Sequence, residues 1–271
     1  MANTHTLTSD TYYTHLNEYL TTSKIKTYLK SPALFRQRHI SPKMPDTAPW
    51  SDALILGALV DQIATEGHTE GYLETARRNL KNPPKTHIEV TPTLWKQAHD
   101  IADKLIDSQS FQDTIHFDKQ VILSHRFSLK QRANKNLIGV AGMLDLLYID
   151  TTKEFLEATI VDIKTTIVPP NDPKKYLYKC YDYYYMLQMA MYGYLVHKVY
   201  NVPLHRISYY HIAITKDEET GYPVTPYRFN TPDICVIINS TLLPLVEEII
   251  NPDNTFKMPD LPLDQALTLE S

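Results

Sequence analysis

The stretch Thr159-Ile160-Val161-Asp162-Ile163-Lys164-Thr165-Thr166 reads as a β-branched, apolar strand carrying an acid and a lysine two residues apart. Side chains at i and i+2 of a strand share a face, so Asp162 and Lys164 project together, while Ile160, Val161 and Ile163 are available to a core. A carboxylate beside an ammonium on one face is the minimum for holding a divalent metal and orienting a water near it. Same-face Asp/Lys pairs also decorate ordinary exposed strands. The reading therefore depends on the neighbours.

Immediately upstream the pattern is strand-like twice more. Residues 121–129 form one candidate strand and 137–149 a second, separated by the basic turn 130–136. A turn at 150–153 then leads into the third strand, 155–164. These make an antiparallel meander with its second turn centred near residue 152, which brings Asp145 and Asp162 within a residue or two of one another. Two carboxylates on neighbouring strands repel, and a divalent cation reverses the sign of that interaction.

Downstream, a loop over 167–177 leads to a helix expected to run unbroken over 179–200. Tyr181, Tyr184, Tyr185, Gln188 and Tyr192 lie on one stripe of it. Tyrosine stripes are usually half-buried packing, but a glutamine within one needs hydrogen-bond partners. A fourth strand is expected over 206–215, a fifth over 224–229 and a last helix over 231–250.

Upstream of the meander the chain reads as mainly helical. Ser23 is a candidate N-cap for a helix over 24–30, and Ser31-Pro32 restarts the chain. Lys24, Lys26, Lys30, Arg36 and Arg38 on this segment form either a solvated face or a phosphate-contacting surface. Residues 53–64 are apolar nearly all round, the mark of a buried helix. Asp61 within it lies at the helix's exposed end or has a partner, because an unpaired buried carboxylate is costly. Gly57, four residues earlier, leaves room for a close approach. Residues 67–92 are polar and irregular apart from a helix expected near 71–80, and a further helix is expected from 91 to about 108.

Composition bounds the alternatives. The 271 residues, 43% apolar and 21% charged, are ordinary for a soluble globular protein. Only 7 glycines accompany 18 prolines and 19 tyrosines, and no Gly-rich phosphate loop occurs. The net charge of −4 leaves nucleic-acid binding to a local basic patch. Cys180 and Cys235 are too few for a four-cysteine iron–sulfur cluster and imply no disulfide framework. A polar N-terminus with no apolar signal region, and no membrane-length apolar run, point to a soluble cytoplasmic protein. With no repeat or linker, one domain is expected: an arm over 1–22, a domain over 23–250 and a tail over 251–271. Within it, 23–118 is mainly helical, 119–230 is the core that carries the candidate site, and 231–250 is a C-terminal helix.

In chain order the marks are Gly57-x-x-x-Asp61, Gly142-x-x-Asp145, Asp162-x-Lys164 and Gln188-x-x-x-Tyr192, preceded by Ser23-x-Ile25-x-x-Tyr28-Leu29-x-Ser31-Pro32-x-x-Phe35. The set resembles the PD-(D/E)XK nuclease superfamily, in the branch that holds RecB-like domains and phage or mitochondrial single-strand exonucleases. The resemblance covers about residues 23–230. It implies a mixed α/β, restriction-endonuclease-like core (αβββαβ), with a central mixed sheet of about five strands flanked by helices. It further implies a metal-dependent deoxyribonuclease acting on single-stranded DNA ends in replication, recombination or repair, with a possible protein partner from those processes. A phage-encoded relative would work in the host cytoplasm.

The same resemblance assigns roles. Asp145, Asp162, Lys164, Gln188 and Tyr192 are the candidate catalytic set. Asp61, Asp145, Asp162 and the Ile163 carbonyl are the candidate ligands for one or two Mg²⁺ or Mn²⁺ ions. Thr165, Thr166, Lys174, Lys175, Tyr181, Tyr185, Arg126 and Lys130 are the candidate nucleic-acid contacts, with Tyr176 and Tyr178 as further stacking candidates. Asp61 departs from the histidine common in the branch, although aspartate also suits these oxygen-seeking ions. The iron–sulfur cysteines of some relatives are absent. The competing readings are a structure-specific endonuclease and a non-catalytic nuclease-fold binder.

Overall fold

The computed structural model describes residues 18–40, 50–67, 72–76, 85–127, 137–169 and 172–251. The meander is present as β4 (Asp118–Arg126), β5 (Gly139–Asp150) and β6 (Glu157–Thr166), all antiparallel. β6 then pairs in parallel with β7 (Ile207–Thr215), and β7 pairs antiparallel with β8 (Val224–Phe229). A sixth strand absent from the sequence reading, β1 (Tyr19–Leu20), lies parallel to the start of β5. Two residues are too few to show a period, so no sequence pattern announced it.

The crossover from β6 to β7 contains two helices where one was expected. α6 (Pro173–Asp182) and α7 (Tyr185–Tyr200) are separated at Tyr184, whose φ of 55° lies in the left-handed region. A run of tyrosines gives no breaker signal, so periodicity alone joined the two. α6 starts at Pro173, capped by the Asp172 side chain, earlier than the sequence suggested. The C-terminal segment forms α8 (Thr231–Ile237) and α9 (Leu243–Ile250), joined by a π-helical stretch at Ile238–Leu242.

The upstream helices are α1 (Thr22–Lys30), α2 (Pro32–Phe35), α3 (Asp52–Glu66), α4 (Pro92–Asp107) and α5 (Gln109–Gln112). Ser31, Ser51 and Thr91 cap α2, α3 and α4 as their positions suggest, each accepting a backbone N–H three residues on. Such caps are worth about 1 kcal/mol each. Thr21 takes the cap of α1 in place of Ser23. The helix expected near 71–80 is instead a strand at β2 (Tyr72–Ala76), hairpinned to β3 (Lys85–Glu89). β-Sheet pairing overrides the weak helical pattern there. The arm before residue 18, the turn 128–136 and the tail after 251 lie outside the described residues.

Both faces of the large sheet are covered, which is why β6 reads as a nearly continuous apolar run. On one face Leu144, Leu147, Ala158 and Ile160 pack with α7, α8 and α9. On the other, Val161, Ile163, Ile212 and Ile214 pack with Leu56, Leu59, Val60 and Ile63 of α3 and Ile101 and Leu105 of α4. Asp162 shares the parity of Ile160, so it points toward α7 rather than into solvent. Gly57 is where α3 comes closest to β6: a Cβ there would stand 3.2 Å from Thr165 Oγ1. The close approach suggested by the glycine is made by a threonine of the strand.

Candidate active site

The site forms where β5 and β6 part. Their ladder runs from Asp150↔Glu157 to Leu146↔Val161. One step further, the same register sets Asp145 opposite Asp162, but the strands have separated, and β6 continues paired only with β7 as far as Thr166↔Thr215. Asp145 bridges the gap itself: its Oδ2 accepts the Ile163 N–H at 2.8 Å. A carboxylate thus takes the place of a ladder carbonyl at the fork.

Asp162 is fully buried, and donors face both of its oxygens. Gln188 Nε2 donates to Oδ1 at 3.0 Å and shares its hydrogens with Tyr192 Oη at 2.8 Å. The Lys164 ammonium is ion-paired to Oδ2, and His211 Nε2 stands 3.5 Å from the same oxygen. His211 is the residue set against Asp162 in the parallel register. Its Nδ1 meets the Tyr176 hydroxyl at 2.9 Å. Burial, reinforced by Lys164 and Lys26, holds the His211 pKa well below the usual imidazole value. In a neutral ring whose Nδ1 accepts from tyrosine, Nε2 carries the proton; it faces Asp162 Oδ2 without forming a hydrogen bond.

Asp61 reaches the same cluster from α3. It is not at an exposed helix end; Gln120 Nε2 donates to its Oδ2 at 3.1 Å and to Thr65 Oγ1 at 3.2 Å. Its Oδ1 is shut off from solvent with no hydrogen-bond partner. Gln120 stands level with Asp145 but is left out of the β4–β5 ladder, at a left-handed φ of 51°. Backbone held in that region by a non-glycine residue is strained. Here the distortion turns the amide toward Asp61.

The electrostatics follow from burial. Desolvation pushes the Asp61 carboxyl up to about 6. Desolvation first, then the charges of Asp61 and Asp162, hold Asp145 well above the usual carboxylate range. Burial alone would lower the Lys164 pKa, but Asp162 and Asp145 outweigh it and keep the ammonium charged. Both acids with raised pKa values keep, in the folded state, protons that the unfolded chain has already lost. The stability they contribute is full below about pH 4 and is lost as pH rises through about 6 and beyond. Metal-free protein is therefore expected to melt at a lower temperature at pH 7.5 than at pH 5, by roughly 2–4 °C for each kcal/mol lost. Scanning calorimetry in EDTA checks this; a melting temperature that climbs across that interval would contradict it.

Two further residues belong to the cluster. Lys26 of α1 reaches Gln188 Oε1 at 3.5 Å, and burial with the nearby Lys164 lowers its pKa to about 8. It joins neither a solvated face nor an open basic surface. The Tyr185 ring is near both Lys26 and Lys164, each ammonium 5.3 Å from its centroid. Sequence reasoning placed Tyr185 here but missed Gln120 and His211, which carry no motif. The alternation of the strand over 207–215 did put His211 on a definite face, and that was the one available signal.

Gly142 links two of the marked sequences. A Cβ on it would lie 3.0 Å from Tyr192 Cε1 and 3.2 Å from Leu195 Cδ1. Tyr192 is buried and hydrogen-bonded to Gln188, so it has little room to give. Gly142→Ala is expected to cost about 1–3 kcal/mol by overpacking, read as a lower urea midpoint with an unchanged slope.

Other expected contacts fall elsewhere. Thr166 is buried; its Oγ1 accepts from the Val168 N–H at 3.1 Å and from Lys179 Nζ at 3.0 Å, which is a structural role rather than a free phosphate donor. Tyr192 braces Gln188 but is too buried to touch a nucleic-acid strand directly. Arg126 pairs with the start of β5, six residues before Asp145 and so about 20 Å along the strand, where it donates to Tyr19 Oη. Tyr176 is fully buried and stacked on Tyr227. Lys174, Lys175 and Tyr178 are exposed on α6, and Tyr181 is half-buried there. Lys130 lies outside the described residues.

The oxygens of Asp145, Asp162, Asp61 and the Ile163 carbonyl form a donor set suited to a hard divalent cation. The orphaned Asp61 Oδ1 supports that fit. Among the described residues no three His, Cys, Asp or Glu side chains already close into a cage; Lys164 lies against the face of Asp162 that an ion would share. Among the same residues no helix is long and apolar enough to cross a membrane.

A fork between two strands of a mixed sheet, lined by two acids and a lysine and backed by a helix glutamine, defines a nuclease-type α/β protein. The family model of the PD-(D/E)XK nuclease superfamily matches residues 19–256, and the chain belongs to that superfamily. Its members generally use divalent metal ions. Among solved structures, one from Eubacterium rectale described as "Putative exonuclease" aligns with a TM-score of 0.57 and 14% identity, over 95% of this chain and 91% of that one. A likeness at that identity concerns the fold. The search of curated proteins returned no match.

Proposed function

We propose that the chain is a divalent-metal-dependent DNA exonuclease that hydrolyses phosphodiester bonds from single-stranded ends. The observation that carries the catalytic reading is the pairing of Asp145 and Asp162 across the fork, with Lys164 on the same face. A non-catalytic binder has no use for two buried acids set against each other around a buried ammonium. Asp145, Asp162 and the Ile163 carbonyl would hold Mg²⁺ or Mn²⁺, with Asp61 completing the set. Such an ion, when bound, lowers the pKa of a coordinated water and offsets charge developing on the phosphate.

The chain's own side chains have separable tasks. Lys164 is charged, nearly buried and held by Asp162, so a phosphate oxygen beside that pair would meet a fixed cation that stabilises the charge of the transition state. Gln188, braced by Tyr192 and Lys26, fixes the orientation of Asp162 through Oδ1. His211, braced by Tyr176, faces Oδ2 from behind. Thr165 lies on the opposite face of β6 from Lys164, against Gly57 of α3, so the strand contact is assigned to Lys164 and not to it. The end-directed part of the reading is supported by the fold likeness to a protein described as an exonuclease, and the single-strand part by the exposed Tyr183 ring beside the site.

The deciding assay incubates purified protein with end-labelled linear single-stranded DNA, and separately with circular single-stranded DNA, with Mg²⁺, Mn²⁺ or EDTA. Metal-dependent release of short products from the linear strand only is the expected result. Cleavage of the circle would move the reading to an endonuclease, and no cleavage of either would remove the enzyme.

A further inference from the structure

Tyr183 and Tyr185 form an aromatic step leading from the surface into the candidate site. Tyr185 is half-buried, with the Lys164 and Lys26 ammonium groups each 5.3 Å from its ring centroid. Tyr183 is 56% exposed, and its ring stacks on Tyr185 with centroids 5.7 Å apart and planes 29° apart. Lys179 lies 5.6 Å from the outer ring and is anchored by Thr166 at the end of β6. The positive φ at Tyr184 produces this arrangement. In an unbroken helix, residues two apart point to different sides; the break lets Tyr183 and Tyr185 stand face to face. A left-handed tyrosine is costly; the break lets Tyr184 and Tyr185 pack against the core while the outer ring of Tyr183 is left in solvent.

We propose that Tyr183 is the platform on which an unpaired nucleobase stacks when its neighbouring phosphate lies at Lys164, with Lys179 beside the connecting backbone. Every base has a π-face, so such a platform tolerates any sequence but accepts only bases released from a duplex. This assigns a basis for single-strand preference, and it rests on the nucleic-acid reading above. It replaces the earlier stacking candidates with one residue. Tyr176 is sealed in the core, and exposed Tyr178 has no ring partner among the described residues that links it to the site.

The test measures binding without turnover, so it can be read even if no hydrolysis is found. A fluorescein-labelled oligo(dT) and a matched oligomer of abasic sites are titrated with full-length protein in Ca²⁺, with anisotropy as readout. Tyr183→Ala is expected to weaken oligo(dT) binding roughly tenfold, within the range of a base–aromatic contact. The abasic oligomer should not distinguish it from wild type. Tyr183→Trp should retain binding, whereas Tyr183→Leu should behave like alanine. Tyr178→Ala should bind as wild type does. Equal losses on both oligomers, an equal loss in Tyr178→Ala, or undiminished binding by Tyr183→Ala would each overturn the proposal. Because Tyr183 is exposed, matching melting temperatures are expected for all variants, so altered binding reports the contact itself.

Discussion

Asp162→Asn is expected to lower metal-dependent hydrolysis by at least about 10³-fold and to destabilise the protein at the same time. Both effects come from one geometric fact: the carboxylate is enclosed by donors. Gln188 meets Oδ1, while Lys164 and His211 face Oδ2. An asparagine has one acceptor and one donor end, so either rotamer sets an NH₂ group against another donor. The substitution also leaves the buried Lys164 ammonium without its nearest counter-charge. Removing one partner of a buried pair typically costs about 3–5 kcal/mol, which should appear as a much lower denaturant midpoint. The catalytic loss is separate in origin: one ligand charge is gone, and Lys164 is no longer held beside the reacting phosphate, a contribution of about 10²–10³ for a single preorganised donor. The kinetic measurement is single-turnover cleavage at saturating Mn²⁺, below the melting temperature of the variant. Near-wild-type turnover there would show that the site has been placed on the wrong residues.

The strands of the meander were legible because each is a run of apolar residues bounded by turn chemistry, and the 150–153 turn fixes the pairing of what flanks it. That is why Asp145 within a residue or two of Asp162 could be derived from counting alone. The close approach at Gly57 was legible for a related reason, since a glycine in an otherwise apolar helix marks missing volume. What counting could not supply was the fork. Whether β6 stays with β5 beyond Val161 depends on β1 taking the vacated edge and on Asp145 reaching over to Ile163, and neither leaves a periodic trace. His211 and Gln120 were hidden in the same way: one is an alternating strand residue among others, and the other gains its role only through a left-handed backbone. The break at Tyr184 ran against the sequence signal, because consecutive tyrosines carry no helix-stop chemistry. The resemblance found the four marked sequences; the partners that hold them in place come from tertiary contacts.

Asp145→Asn should give the opposite sign on stability from Asp162→Asn while also abolishing activity. Asp145 has one backbone partner, the Ile163 N–H, which an asparagine oxygen can accept unchanged. What the substitution removes is a charge that the folded protein disfavours, through burial first and through Asp61 and Asp162 next. The lost attraction to Lys164 offsets part of this, but the raised pKa of Asp145 gives the net sign: its surroundings favour the neutral form. At pH 7.5 in EDTA the variant is expected to be more stable than wild type, since the folded protein disfavours the Asp145 charge that the unfolded chain carries freely. A divalent ion should reverse the ranking. Wild type should gain stability with rising Mn²⁺ as the logarithm of concentration over Kd, reaching about 2.7 kcal/mol at a hundred times Kd, while Asp145→Asn gains little. The two thermal-shift curves should therefore cross as metal is added. A variant less stable than wild type without metal, or one that gains as much from Mn²⁺, would show that Asp145 is held for packing rather than for charge. The crossing matters because it separates a built ion site from a tolerated acidic residue: only a site that accepts a penalty when empty and recovers it when filled gives both signs.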